Sequence, residues 1–325
     1  MNFKSIPLAL IFFTPASYAL NVVITNDDSF ITHNIQQLRV ALEDSGHNVI
    51  LSAPCAKQSG KASSMGSYLT AMPISSLDAS STGKLTINVN NKGKAGYCIG
   101  NSESEKDILS FNDYKDGTPL QAALHGIYKA NEIWGRNPDL LISGPNEGNN
   151  MGFANKLSGT LGATHAAIIK GIPAIAISDY EEKSTYDRAQ TISLIVMKVV
   201  STLISTQKNS KKLLPPLTAL NINTPLVLES AKFKFTQVGW ASGINLSFGD
   251  LGAKNSYGAK YGYLPGQAIG LNLIMGEDPS GDLNVNSEGN AMKAGFITIS
   301  TIDAQEQASN IKTAHTENRL QALIK

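Results

Sequence analysis

Near the start of the chain, three segments differ in how their hydrophobic residues are spaced. The first and third are continuous apolar runs, and the second has apolar residues at helical spacing. Leu20 to Thr25 (LNVVIT) is rich in β-branched residues and predicts a buried parallel strand, and His47 to Ala53 (HNVILSA) predicts a second one. Gly46 marks the end of a helix between them. The apolar residues of that helix recur at helical spacing: Ile31, Ile35, Leu38 and Leu42. A strand, a helix and a strand in this order predict a parallel sheet with right-handed crossovers.

Further segments continue the alternation of helices and strands. Thr118 and Pro119 indicate the start of a helix that runs through Trp134, with Thr118 as N-cap. The clearest apolar stripe predicts another helix, with Ser184 and Asp187 as its capping pair: Ile192, Ile195, Val196, Val199, Val200 and Leu203. The other predicted elements are strands at Asp139–Ser143, Ala174–Ser178 and Leu217–Ile222 and a helix at Ser158–Lys170.

Two stretches lack this alternation. Pro54 to Gly117 is rich in Ser, Gly, Lys and Asn, and we interpret it as loops with a weak strand at Leu85–Val89. Phe233 to Leu273 is rich in Gly and Tyr and predicts hairpins rather than βαβ units. Phe296–Ser300 predicts a final strand, and the polar C-terminus predicts a loose helix.

The first residues are typical of a secretory signal. Lys4 precedes an apolar run from Ile6 to Phe13, and small residues lead up to Ala19. The pattern predicts cleavage after Ala19 and an exported protein, periplasmic or secreted. A membrane anchor is less well supported because the run is too short to span a bilayer. A core strand is less well supported because a complete predicted strand begins immediately afterwards. No later run is expected to cross a membrane.

Composition narrows the functional classes. Of 325 residues, 42% are hydrophobic, which is enough for a substantial core, and the net charge is +1 with no basic block. Binding to a nucleic-acid polymer is therefore not expected. The only two cysteines, Cys55 and Cys98, lie outside any zinc-ligand pattern, and the sequence leaves open whether they pair. The patterns of dinucleotide sites, P-loops and nucleophile elbows are absent.

Polar residues follow two of the predicted strands directly. The first strand ends in Asn26-Asp27-Asp28, and Asn146 follows the Asp139–Ser143 strand. If these strands are neighbours, their oxygen atoms converge on one point, and such ligands suit Mg²⁺, Mn²⁺ or Ca²⁺. Taken alone, the two aspartates could equally cap the following helix.

Small and hydroxyl-bearing residues occur at two further strand or helix ends. Ser158-Gly159-Thr160 opens a helix, and a helix N-terminus of this kind is a ready anion site, although an ordinary Ser cap is the simpler interpretation. The second strand ends in a loop, Gln58 to Ser63. Together these features suggest metal-assisted phosphoryl hydrolysis. Among the histidines, His33 is the one candidate proton donor, whereas His125 and His165 lie in predicted helices and are expected to be packed or surface residues rather than ligands.

The segments VVITNDDSF, APCAKQSG and DLLISGPNEGNNMGFANKLSGTLGATHAAIIKGIPAIAIS, in this order, resemble the SurE (survival protein E) family of metal-dependent nucleotidases and acid phosphatases. The resemblance implies an α/β fold, with a Rossmann-like, mostly parallel sheet and helices on both faces. It also implies a smaller C-terminal portion with a protruding β-hairpin used in a homodimer or homotetramer. We expect residues 1–19 to be the signal peptide, 20–225 the body and 226–325 the C-terminal portion of a single domain, 20–325.

The same resemblance implies one divalent cation per subunit, Mg²⁺ or Mn²⁺, with Ca²⁺ as a further possibility. Its ligand positions fall on Asp27, Asp28, Ser59 and Asn146, and Asp27 and Asp28 are also the expected catalytic residues. The phosphate-binding positions fall on Asn26, Ser158, Gly159 and Thr160. The implied substrate is a small phosphomonoester, above all a nucleoside monophosphate. The alternatives are a broad secreted acid phosphatase and an exported binding protein without catalysis.

Three segments depart from the family pattern. Ser29 replaces the usual glycine after the two aspartates, and His33-Asn34 replaces a usual Pro-Gly. Leu120-Gln121-Ala122 replaces Ala-Asp-Cys. These departures, with the signal segment, suggest a divergent secreted branch.

Overall fold

The computed structural model describes residues 18–66, 72, 74–77, 96–100, 117–181, 183, 185–207, 212–276, 282–304, 310–320 and 323. Residues 1–17 of the predicted signal peptide (1–19) lie outside the described residues, and so does the weak strand predicted at Leu85–Val89. In chain order the elements are β1 (Asn21–Thr25), α1 (His33–Asp44), β2 (Asn48–Pro54), β3 (Ile74–Leu77), β4 (Gly96–Ile99), α2 (Pro119–Trp134), β5 (Leu140–Asn146), α3 (Gly159–Ile169), β6 (Ala174–Ser178), α4 (Tyr186–Thr206), β7 (Thr218–Asn223), β8 (Phe233–Thr236), β9 (Ile244–Asp250), α5 (Tyr257–Lys260), β10 (Ile269–Met275), α6 (Glu288–Lys293), β11 (Ile297–Asp303) and α7 (Asn310–Leu320). A short 3-10 helix, Gly152–Lys156, lies between β5 and α3.

The described strands form a nine-stranded sheet in the order β3-β4-β2-β1-β5-β6-β7-β11-β8. Its neighbours are parallel except for β3–β4 and β7–β11, which are antiparallel. The two remaining strands, β9 and β10, form a separate antiparallel hairpin. The predicted mostly parallel α/β fold with a hairpin in the C-terminal portion is confirmed.

Two hydrophobic cores lie on opposite faces of this sheet. In β1, Val22 and Ile24 belong to one core and Val23 to the other, because successive side chains of a strand point to opposite faces. Helices α1 and α4 cover the first face, and α2 and α3 cover the second. Helices on both faces are thus confirmed, and the continuous burial of the central strands explains why they appear as unbroken apolar runs.

Helix α4 corrects the expectation that no later segment is long enough to cross a membrane. Its 21 residues meet the length and hydropathy criteria for a span. Its apolar stripe, however, packs into the first core, where Ile192, Val196 and Val200 are fully buried. A core helix of a globular fold satisfies the same criteria. Its N-cap is Thr185, whose side chain accepts a hydrogen bond from the Arg188 N–H, rather than the predicted Ser184, which lies outside the described residues.

The stretch interpreted as loops contains two strands that the sequence did not predict, β3 and β4. Strand β4 extends the sheet beyond β2, and a disulfide between Cys55 and Cys98 joins the end of β2 to β4. A bridge across a sequence separation of 43 residues stabilises a fold by about 4 kcal/mol in the chain-entropy account. The sequence left open whether Cys55 and Cys98 pair. In the structure they are bridged, because β2 and β4 are neighbouring strands.

Part of the C-terminal portion joins the main sheet. Strand β8 pairs in parallel with β11, and β11 pairs with β7, so β8 is not a hairpin strand as predicted. The alternating pattern of FKFT fits a hairpin strand and a strand of the main sheet equally well. Which of the two forms depends on the distant strand with which it pairs. The β9–β10 hairpin, by contrast, is confirmed. One of its faces exposes apolar side chains: Leu246, Phe248, Ile269 and Leu271.

Candidate functional site

The candidate site lies at the carboxyl ends of β1 and β5. These strands pair in parallel, with Thr25 opposite Ser143, so the residues that follow them meet at one edge of the sheet. The chain leaves β1 towards β2 on one side and returns in β5 on the other. Such a switch in strand order creates a crevice where α/β proteins bind ligands. The predicted convergence of Asp27, Asp28 and Asn146 on this edge therefore rests on an observed strand pairing.

Asp27 is held by the first turn of α3. Its Oδ1 accepts a hydrogen bond from Thr160 Oγ1 at 2.8 Å, and the Gly159 N–H also hydrogen-bonds to its carboxylate. A Cβ on Gly159 would lie 2.8 Å from both the Cβ and the Oδ2 of Asp27, so the helix approaches at a distance that only glycine allows. The N-terminal end of α3 therefore faces a carboxylate, as its dipole favours.

Asp28 lies between two other segments of the chain. Its Oδ2 accepts a hydrogen bond from the Glu147 N–H at 2.6 Å, in the loop after β5. Its Oδ1 is 2.9 Å from Lys57 Nζ, in the loop after β2, and Lys57 Nζ also lies 3.3 Å from Glu147 Oε2. Three strand ends thus meet at this one side chain.

The electrostatics of the pair favour a bound cation. Burial raises the pKa of both Asp27 and Asp28, and the charge of Asp27 raises the pKa of Asp28 further, to about 7. Lys57 offsets this only in part. Burial lowers the pKa of Lys57, but the carboxylates of Asp28 and Glu147 outweigh that effect and raise it, so Lys57 is a permanent cation. An added positive charge beside the pair would lower both carboxyl pKa values.

Two buried amide oxygens add to the carboxylates. Asn146 Oδ1 and Asn26 Oδ1 are buried and have no hydrogen-bond partner among the residues that the structure describes. A buried acceptor without a donor is costly, and a cation would satisfy it. Carboxylate and amide oxygens are also the ligands that hard divalent cations prefer. The residues present therefore suit Mg²⁺ or Mn²⁺. Among the described residues, no group of three or more His, Cys, Asp and Glu side chains could hold a metal ion by itself, so amide or hydroxyl oxygens would have to complete the site.

The remaining predicted residues lie in segments that contact Asp27 or form the turn around it. Ser59 is exposed and follows Gln58, whose N–H donates to the Asp27 carbonyl at 2.7 Å, so its loop is tied to the turn. Ser158 caps α3 and accepts from the Leu161 N–H. Asn26 uses its Nδ2 within the turn, donating to the Ser29 carbonyl at 2.9 Å and to Thr32 Oγ1 at 3.2 Å. A phosphate contact by the Asn26 amide group would have to replace these bonds.

Sequence reasoning missed Lys57, Glu147 and Asn150. Lys57 lies just before the predicted Ser59, and a cation after a strand end was the available signal. Asn150 is buried and donates to Thr160 Oγ1 at 3.4 Å and to Ser178 Oγ at 2.9 Å. Nothing in the local sequence distinguishes Asn150 from its neighbour Asn149. Asn150 is buried because the loop packs onto β7, where the Asn150 backbone is hydrogen-bonded to Asn223.

The comparison with known proteins identifies the family and agrees with the fold. The family profile described as Survival protein SurE matches residues 22–244. The chain belongs to the SurE family.

Individual SurE relatives agree with this assignment. An acid phosphatase of Yarrowia lipolytica is 33% identical over 218 residues, which cover 63% of this chain and 57% of the relative. A 5'-nucleotidase SurE of Methanosphaera stadtmanae is 32% identical over 160 residues, covering 49% of this chain and 50% of the relative. The chain therefore spans about half the length of these curated relatives. The crystal structure of the Sure protein from Aquifex aeolicus matches with a TM-score of 0.64 at 20% identity, covering 93% of this chain and 99% of that one.

The structure accounts for two departures from the SurE pattern. Ser29 has a φ of 102°, a left-handed conformation that favours glycine. Its Oγ donates to the Cys55 carbonyl at 2.8 Å, which anchors the turn to the end of β2 and offsets part of the strain. Gln121 completes a capping box with Thr118, because Gln121 Oε1 accepts from the Thr118 N–H at 2.9 Å. The predicted N-cap of α2 is confirmed.

His125 and His33 both contact neighbouring side chains. Burial lowers the pKa of His125 to about 4, and its Nδ1 lies 3.0 Å from Ser52 Oγ, as expected for a packed histidine. His33 lies edge-on to Tyr186 with ring centroids 6.1 Å apart. Its suggested part in proton transfer stays a prediction.

Proposed function

We propose that the protein is a phosphomonoesterase that hydrolyses its substrate at a divalent cation held by Asp27, Asp28, Ser59 and Asn146. The observation that supports this most directly is the burial of two adjacent carboxylates beside amide oxygens without donors, at the switch point of the sheet. A structural cap needs no such arrangement, since α1 begins at His33 with Thr32 at its N-cap. The helix-cap alternative for the two aspartates is therefore disfavoured.

The side chains of this chain suit the steps of phosphoryl hydrolysis. When bound, the cation would stabilise negative charge on the phosphoryl group and lower the pKa of a water molecule. Asp27 and Asp28 hold their positions through Thr160 and the Glu147 N–H, and either could accept the proton of the attacking water. The N-terminus of α3 and the nearby Lys57 favour the negative charge of the phosphate.

A nucleoside monophosphate is the substrate class that we propose. A cavity of about 650 Å³ lies beside the loop that follows β5, where Asn149 and Met151 contribute to its wall together with Tyr180. This volume is within the range of small-molecule sites. None of the proposed metal-binding or phosphate-binding residues lines the cavity, so it would take only the organic part of a phosphate ester, reached past Asn149 and Met151. Relatives named 5'-nucleotidase SurE support a nucleotide substrate, whereas the relative named acid phosphatase supports the broader alternative.

Release of inorganic phosphate tests the proposal. The purified protein, freed of metal with EDTA, is assayed with a panel of 5'- and 3'-nucleoside monophosphates and p-nitrophenyl phosphate, with and without Mn²⁺ or Mg²⁺. We expect activity that disappears with EDTA and returns with metal, and a preference for nucleotides. Equal rates across the panel would favour the broad acid phosphatase. Nucleotide binding without any phosphate release would contradict the enzymatic proposal and support a binding protein.

We also propose that the apolar face of the hairpin contacts a second copy of the chain. Phe248 and Leu271 face each other across the hairpin and are 76% and 67% exposed. A charge on this face should prevent association, because it would be buried without a partner. We expect the Phe248→Asp variant to have a lower mass than the wild type in light scattering, and Asn245→Asp, on the other face, to leave the mass unchanged. A wild-type protein that is monomeric would contradict the proposal.

Export is the third proposal, supported by the signal-like N-terminus and by the Cys55–Cys98 disulfide. Disulfides persist in oxidising compartments. We expect protein recovered from the periplasm or the medium of its host to begin at Leu20. We further expect no thiol to react with an alkylating agent until a reductant is added. Protein that starts at Met1 and carries two free thiols would contradict export.

A further inference from the structure

Glu288 is a fully buried carboxyl group far from the site in sequence. It is the first residue of α6, and its side chain accepts hydrogen bonds from Asn221 Nδ2 at 2.8 Å and from the Gly152 N–H at 3.4 Å. Burial raises its pKa to about 7. A buried carboxyl group costs stability unless hydrogen bonds compensate for its lost hydration. Glu288 thus joins the loop between β5 and α3, through Gly152 and Asn155, to Asn221 of β7 and Ser300 of β11.

Asn150, in this loop, is fixed by two asparagines of β7. Its carbonyl accepts from Asn221 Nδ2 at 3.0 Å and from Asn223 Nδ2 at 2.9 Å. Its N–H donates to Asn223 Oδ1 at 2.8 Å. The Nδ2 of Asn221 therefore serves both Glu288 and the Asn150 carbonyl, and the two contacts orient it together.

The Asn150 side chain extends this network to the site. Its Nδ2 donates to Thr160 Oγ1 at 3.4 Å, and Thr160 Oγ1 donates to Asp27 Oδ1 at 2.8 Å. A hydroxyl group has one hydrogen. By donating to Thr160 Oγ1, Asn150 leaves the hydroxyl hydrogen directed at Asp27. The series Glu288, Asn221, Asn150, Thr160 and Asp27 is thus continuous, and every member is buried.

We propose that Glu288 is a positioning residue of the active site, which holds the loop after β5 and, through Asn150 and Thr160, the orientation of Asp27. The loop also starts directly after Asn146, the last residue of β5, so it adjoins both Asn146 and, through Thr160, Asp27. This inference rests on the proposed function, since it concerns the same cation site. It assigns to the C-terminal portion a contribution to that site besides assembly.

Mn²⁺ affinity, measured by calorimetry on the full chain, tests the inference separately from activity. In Glu288→Gln one oxygen remains, which cannot accept from both Asn221 Nδ2 and the Gly152 N–H. We expect about 10-fold weaker Mn²⁺ binding and a similar fall in kcat, as for other residues that orient metal ligands. Glu288→Leu, which accepts neither bond, should reduce both about 100-fold. Glu288→Asp, which keeps both oxygens, should recover part of the loss.

Ala291→Gly is the matched control. It weakens α6 itself, since Ala291 is buried in the same helix, but leaves the carboxyl group in place. We expect its Mn²⁺ affinity and kcat to match those of the wild type even though its melting temperature falls. Folded Glu288 variants with wild-type affinity and kcat would overturn the inference, as would an equal loss in Ala291→Gly. If the wild type binds Mn²⁺ but releases no phosphate, the proposed function fails, and the affinities still decide the role of Glu288.

Discussion

The Asp27→Asn variant is expected to lose phosphate release by about 1000-fold, the upper range for removing one preorganised electrostatic contact at a reacting centre. Asp27 contributes a negative oxygen to the proposed cation site, and the amide supplies a neutral one. Its Mn²⁺ affinity should fall together with kcat. The measurement is steady-state phosphate release at saturating Mn²⁺, with calorimetric titration of the metal.

Stability distinguishes a lost ligand from a lost fold. Two carboxylates buried side by side destabilise the metal-free protein, so the Asn variant should melt at the same or a higher temperature when EDTA is present. Mn²⁺ should raise the melting temperature of the wild type but not that of the variant. Asp187→Asn, the same substitution at an exposed position of α4, serves as control and should retain activity and the response to metal. Full Mn²⁺-dependent activity in Asp27→Asn would refute the site as proposed.

The Gly159→Ala variant is expected to lose about 100-fold in kcat/KM, because a shift of about 1 Å in a catalytic group has an effect of this size. The added methyl group would lie 2.8 Å from Asp27 Cβ, from Asp27 Oδ2 and from Pro119 Cγ. A Cβ atom does not come that close to a heavy atom to which it is not bonded, so α3 or Asp27 has to move. The intrinsic helix propensity of Ala would by itself favour the variant by about 1 kcal/mol.

Gly249→Ala is the matched control for this methyl group. Gly249 lies in β9, and a Cβ there would have no atom within 4 Å. We expect this control to keep wild-type kcat/KM and wild-type Mn²⁺ affinity. If Gly159→Ala behaves like Gly249→Ala, the close approach of α3 to Asp27 does not matter for turnover. That result would remove α3 from the proposed machinery while leaving the two aspartates in it.

Much of the site could be predicted because its residues directly follow strands that are evident in the sequence. Asp27, Asp28 and Asn146 come after apolar runs with clear ends, and parallel strands bring their carboxyl ends to one edge. Lys57 and Glu147 could not be predicted in the same way. Their relation to Asp28 depends on the meeting of three loops, and local sequence contains no information on which loops meet.

The edges of the sheet were also beyond the reach of the sequence. Strands β3 and β4 are four residues each, too short for a periodic pattern to stand out among Ser-, Gly- and Lys-rich neighbours. Strand β8 has an alternating pattern, but the sequence does not reveal that it pairs with β11. In these elements the partner, rather than the segment, decides the structure.

The sequence by itself determined the central strands, their covering helices, the caps of α2 and α3 and the position of Asn26-Asp27-Asp28 at a strand end. These features are local, because hydrophobic period and capping chemistry act over a few residues. Only the tertiary structure decided that Lys57 pairs with Asp28, that Cys55 and Cys98 are bridged and that Glu288 connects through Asn221 and Asn150 to Thr160. Lys57 and Asp28, Cys55 and Cys98, and Glu288 and Asn221 are all more than 25 residues apart in the sequence. Residues so far apart meet only because of the order in which the strands are arranged in the sheet.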